Sequence, residues 1–106
     1  MPNYDYEYDE QVASKSQEKL APPSLYNVVI HNDDFTTMEF VMLVLQQIFQ
    51  HAEADAFRIM WQVHTQGAGI AGTYTREIAE TKAHKAMEMA QGYEYPLLFT
   101  VEQANS

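Results

Sequence analysis

Between Leu25 and Gln50 the hydrophobic period changes, and three polar residues mark the change. Leu25 to His31 is rich in β-branched and aromatic residues, the composition of a strand. Asn32-Asp33-Asp34 breaks it with side chains that bond their own neighbouring backbone and so favour a turn. Thr36-Thr37-Met38-Glu39 then reads as a capping box, in which Thr36 caps the N3 amide and Glu39 reaches back. Val41, Val44, Leu45 and Ile48 follow at i, i+3, i+4 and i+7, one face of a helix expected to run to about Gln50.

The rest of the chain repeats the two periods. A second helix is expected from about Glu53 to Gln66, with Ala56, Met60 and Val63 as its stripe, His64 beside them, and Gly67 and Gly69 ending it. Ile70 to Tyr74 reads as a short strand weakened by Gly72. Thr75 starts a third helix, with Ala79, Ala83, Ala86, Met87 and Ala90 on one face and Gly92 closing it. Pro96 to Glu102 reads as a last strand, Leu97, Phe99 and Val101 on one side and Leu98 on the other. The order strand, helix, helix, strand, helix, strand predicts an α+β fold. It is a small βααβαβ sandwich, a three-stranded antiparallel sheet covered by three helices.

The length of 106 residues fits one such domain. Residues 24–106 are expected to form it, and residues 1–23 a flexible acidic N-terminal extension. In that extension Tyr4-Asp5-Tyr6-Glu7-Tyr8-Asp9-Glu10 alternates aromatic and acidic residues, and Pro22-Pro23 ends it. One short strand so dense in like charges is not stable alone. With no cysteine, disulfides and thiolate metal sites are excluded. No signal pattern and no membrane-length apolar run is present, so a cytoplasmic protein without a membrane partner is expected. Acids outnumber bases by 15 to 6, for a net charge of −9. That argues against nucleic acid, whose phosphates need Lys and Arg. It suits a partner that is cationic where it touches, and it also serves solubility alone.

The chemistry-bearing residues give no enzyme pattern. No glycine-rich phosphate loop, nucleophile elbow or HExxH pattern occurs. Asp33 and Asp34 are adjacent, but neighbours in an extended segment point to opposite sides. His31, His51, His64 and His84 lack a zinc spacing, and the calcium-loop pattern is absent, so no metal or cofactor is expected. A weak metal site at His31, Asp33, Asp34 and His64 is an alternative that the spacing does not favour. Asn32, Asp33 and Asp34 offer acceptor oxygens in a loop fixed at both ends, which suits an ammonium group with three donors. Met38, Val41 and Leu45 follow on the helix and can line an apolar pocket or simply fill a core. Periodicity alone stops at an α+β domain.

The motifs together go further. Pro22-Pro23-Ser24-Leu25-Tyr26, then Asn32-Asp33-Asp34-Phe35-Thr36-Thr37-Met38-Glu39-Phe40-Val41, then Val63-His64-Thr65-Gln66-Gly67, then Ala79-Glu80-Thr81-Lys82 and Tyr95-Pro96-Leu97-Leu98 closely resemble the bacterial ClpS adaptor family. The likeness runs in order from about Ala21 to Glu102. It implies a non-enzymatic adaptor that binds N-degron substrates beginning with Phe, Tyr, Trp or Leu. It also implies delivery to the ClpA unfoldase of the ClpAP protease through the ClpA N-terminal domain. By resemblance, Asn32, Asp34 and His64 contact the α-amino group, and Asp33 and Thr36 contact the peptide or support the loop. Met38, Val41, Met60, Val63 and Leu97 would form the side-chain pocket, and Glu77 and Lys82 would belong to the chaperone-docking surface. The extension would take part in delivery.

Departures are few. Thr37 stands where many relatives have proline, which is expected to loosen the loop slightly. Ala68 and Ala71 replace bulkier or more polar residues away from the motif. If neutral His64 helps to hold the ammonium, its protonation should weaken binding, and if it donates to a substrate carbonyl that effect vanishes. A ribosome-stalk-like interaction domain is the competing function, because a small sandwich fixes no partner.

Overall fold

The computed structural model describes residues 23–104. The extension expected over residues 1–23 lies outside the described residues except for Pro23. The elements are β1 (Leu25–His31), α1 (Met38–Gln47), α2 (Glu53–Gln66), β2 (Ala68–Thr75), α3 (Arg76–Gly92) and β3 (Leu98–Gln103). The sheet order is β2-β1-β3, and both pairings are antiparallel. This is the expected α+β sandwich of three strands and three helices.

Strand alternation decides which face the helices take. Val28 and Ile30 of β1 are fully buried in one core with Ala71 of β2 and Phe99 of β3. Ile70 and Leu98, on the opposite face, stay about half exposed. On that face His31 pairs with Leu98 across the strands, and its Nε2 lies 2.8 Å from Thr100 Oγ1. The helices supply Val44 and Leu45 from α1, Ala56, Ile59 and Val63 from α2, and the stripe Ala79, Ala83, Ala86 and Ala90 from α3. Alanine at those four positions lets α3 lie close to the sheet, since no long side chain holds the backbones apart.

Strand β2 is longer than expected and carries a bulge. Val28 pairs with Gly72 but Val29 pairs with Ile70, so Ala71 is the extra residue. A bulged residue is left out of the ladder, and the Ala71 carbonyl accepts instead from His51 Nε2. The ring of Tyr74 fills the space above Gly72. Burial raises the Tyr74 phenol above its ordinary 10.0.

Three helix ends differ from expectation. The N-cap of α1 is Thr37, whose Oγ1 accepts from Phe40 N at 3.1 Å, because the Thr36 hydroxyl is already given to Asp33. Thr37 therefore holds the helix start. Helix α1 ends at Gln47, three residues early, and Lys82 Nζ donates to the Ile48 carbonyl at 2.9 Å beyond it. Gly92 is the last residue of α3, and the left-handed residue that closes the helix is Glu94, at φ 63. Tyr95 N donates to Ala90 O and Glu94 N to Gln91 O, which is a Schellman motif with Glu94 in the usual glycine place. Strand β3 begins at Leu98 rather than Pro96.

Candidate functional site

The site starts where β1 stops. Asn32 N donates to the Gly67 carbonyl at 2.9 Å, so the turn after β1 is fastened to the end of α2. Gly67 takes φ 89 as the left-handed C-cap of α2, and its own N–H returns to Val63 O at 3.0 Å. A side chain at that φ would be strained. This fastening brings the loop of β1 beside His64, in the last turn of α2.

Within the loop the two aspartates have separate situations. Asp33 Oδ2 accepts from Phe35 N at 3.1 Å and from Thr36 Oγ1 at 2.6 Å. Thr36 N adds a bond to Asp33 O at 3.2 Å. Asp33 is therefore the residue that builds the turn. Among the described residues the carboxylate of Asp34 has neither a hydrogen-bond nor an ion-pair partner. It is exposed, together with Asn32 and His64.

A single cavity of about 170 Å³ lies between this loop, the start of α1, the end of α2 and the approach to β3. Its polar lining is Asn32, Asp33, Asp34, Thr36 and His64. Its apolar lining is Met38 and Val41 from α1, Met60 and Val63 from α2, and Leu97 just before β3. Val41, Met60, Val63 and Leu97 are buried, so they form fixed walls, whereas Met38 is 40% exposed and stands at the edge. Behind one wall Gly69 approaches closely: a Cβ there would meet Val63 Cγ2 at 2.8 Å. Among the described residues no Lys or Arg lines the cavity, so the charge on its polar side is that of Asp33 and Asp34, with Asn32, Thr36 and His64 adding groups that can accept.

Every residue that the family resemblance implied for amine contact, loop support or side-chain pocket lines this cavity. Glu77 and Lys82 do not. Glu77 is exposed in the first turn of α3. Lys82 caps the end of α1, approaches Gln50 Oε1 at 3.5 Å, and holds its ammonium 5.3 Å from the centre of the Tyr74 ring. His31 is also apart, bonded to Thr100. No group of three or more His, Cys, Asp or Glu among the described residues is placed to hold a metal ion. Two aromatic residues that periodicity did not single out adjoin the site: Trp61 lies 5.6 Å from His64, and Phe57 stacks on Trp61 at 6.4 Å. Both fall outside the apolar stripe of α2 and are about half exposed, which is why a core pattern could not find them.

A family model described as ATP-dependent Clp protease adaptor protein ClpS matches residues 21–100. The ATP-dependent Clp protease adapter proteins ClpS of Burkholderia cenocepacia (strain HI2424) and Burkholderia vietnamiensis are each 45% identical to the chain over 96 residues, covering 91% of it and 92% of the relative. Among solved structures, Agrobacterium tumefaciens ClpS2 bound to L-phenylalaninamide superposes with a TM-score of 0.74 at 39% identity, over 77% of this chain and 99% of that one. No helix among the described residues is long and apolar enough to cross a membrane. With the motifs in order, the fold shared and most of the chain matched, the protein belongs to the ClpS family of Clp protease adaptors.

Proposed function

We propose that the cavity grips the first residue of polypeptides beginning with Phe, Tyr, Trp or Leu, and that the protein passes them to the ClpA unfoldase of ClpAP. One observation carries the reading: acceptor oxygens and a buried apolar well share a single small cavity. A terminal residue has the matching pair, an α-ammonium and a side chain on the same carbon. L-Phenylalaninamide, bound by the related ClpS2, has a free α-amine, an aromatic side chain and an amide where a chain would continue.

The two halves of the cavity do different work. Asn32, Asp34 and His64 take the ammonium, which an internal residue lacks, so internal Phe and Leu are refused. Asp33 and Thr36 hold the loop that presents them. The well of Val41, Met60, Val63 and Leu97 takes the side chain, and full burial of a large one contributes about 1.5–3 kcal/mol. Met38, partly exposed at the edge, crowds side chains branched at Cβ and so rejects Ile and Val, which burial alone would not do.

In this reading the protein is not an enzyme, works with ClpAP in the cytoplasm, and meets the ClpA N-terminal domain on a surface that includes Glu77 and Lys82. The extension before Pro23 assists transfer. The test is calorimetric titration with decapeptides that differ only at the first residue, followed by degradation of a reporter that starts with Phe. Binding of the Phe, Tyr, Trp and Leu peptides with refusal of Ser and Glu, and ClpAP degradation that needs the adaptor, supports it. Affinity independent of the first residue would instead favour a general interaction domain.

A further inference from the structure

A second cavity lies on the other side of the first turn of α1, away from the residues that line the proposed grip. It is lined by Thr37, Glu39, Phe40, Leu43, Tyr93 and Tyr95 and encloses about 200 Å³. Three rings define it. Phe40 lies 4.9 Å from Tyr93 and 4.9 Å from Tyr95, tilted about equally to each, at 52° and 53°. The two tyrosine rings are parallel to within 8° at 6.4 Å. The geometry is held from both sides. Phe40 is buried and bonded to the Thr37 cap, and Tyr95 is fixed by the Schellman turn through left-handed Glu94. Tyr93 is 56% exposed.

Aromatic faces attract cations, most strongly where water is partly excluded. Among the described residues that attraction is used twice: Arg76 lies 6.0 Å from the Tyr26 ring, and Lys82 lies 5.3 Å from that of Tyr74. The Phe40–Tyr93–Tyr95 group is the larger aromatic surface, yet among the described residues no Lys or Arg lines it. The charged group among the described residues that line it is the carboxylate of Glu39. The adjoining last turn of α3 has no basic residue to offset the negative end of the helix. Rings, carboxylate and helix end all favour positive charge.

We infer that this notch is a docking site for an arginine or lysine side chain of a partner polypeptide, separate from the terminal-residue pocket. A guanidinium suits it best, because its plane stacks on a ring while its N–H groups reach Glu39. The inference does not depend on what the first cavity binds.

The test is a titration of the full chain with N-acetyl-L-argininamide, followed by NMR of the aromatic ring protons, with N-acetyl-L-citrullinamide as the uncharged control. Saturable shifts of Phe40, Tyr93 and Tyr95, larger for the arginine probe and diminished by salt, are the expected result. Tyr93→Ala should weaken the binding about two- to fivefold, the range of an exposed cation–π contact, and Glu39→Gln by up to about fivefold, the range of an exposed ion pair. Equal shifts from citrullinamide, or no saturable shift at these rings, would overturn the assignment. So would ring shifts on replacing Lys15 and Lys19 with Gln in the absence of probe, since they would give the notch to the chain's own lysines.

Discussion

Asn32 and Gly67 are joined by one backbone hydrogen bond of 2.9 Å, and that bond sets the polar turn after β1 against the end of α2. The bond needs Gly67 at φ 89, where other residues are strained. Gly67→Ala should lower stability by about 1–2 kcal/mol. It should also weaken binding of a Phe-initiated peptide although residue 67 does not line the cavity. Thermal unfolding and fluorescence polarisation on the same sample read both effects.

The two neighbouring aspartates should separate by phenotype. Asp33→Ala removes the acceptor of Thr36 and Phe35, so it should destabilise the fold by about 0.5–2 kcal/mol, as loss of a cap does, and weaken binding through the loop. Asp34→Ala removes no bond among the described residues, so unfolding should shift by no more than about 0.5 kcal/mol while binding falls at least about tenfold. The same two measurements on each variant decide whether the roles divide this way.

Met38→Ala should widen the tolerated first residues rather than abolish binding. The side chain is 40% exposed, so its loss leaves the core intact. Peptides beginning with Ile or Val should gain affinity relative to Leu, and a competition series over Leu, Ile and Val as first residues would measure the change in ratio.

The Val63 wall can be moved from behind. In Gly69→Ala the new methyl would meet Val63 Cγ2 at 2.8 Å, so Val63 must shift toward the cavity. Overpacking of this kind costs about 1–3 kcal/mol. The largest first residue, Trp, should lose the most affinity and Leu the least, as titration of the four peptides would show.

Where the period of the sequence meets a single element, the fold was legible: Val41, Val44 and Leu45 fall on the buried face of α1, and the alanine stripe of α3 lies against the sheet. The residues of the cavity lining were named through the likeness to the ClpS family, and all but Met60 fall in the motifs that carry that likeness. What was missed depends on competition or distance. A capping box in sequence could not say that Asp33 would claim the Thr36 hydroxyl and move the cap to Thr37. Gly92 looked like the helix terminator, but the closing turn is made two residues later, by Glu94. Lys82 as a cap for α1, and the rings of Tyr93 and Tyr95 around Phe40, join residues far apart in the chain, which no local pattern encodes.

Capture of a free α-amine is the central claim, and one comparison tests it most directly. Two peptides identical from a first Phe onward, one with a free amine and one acetylated, are titrated against the full chain by fluorescence polarisation. Acetylation removes the charge and leaves an acceptor unpaired, which costs about 1–3 kcal/mol or more for a charged group. The account predicts at least about tenfold weaker binding of the acetylated peptide. Equal affinity for the two would contradict it.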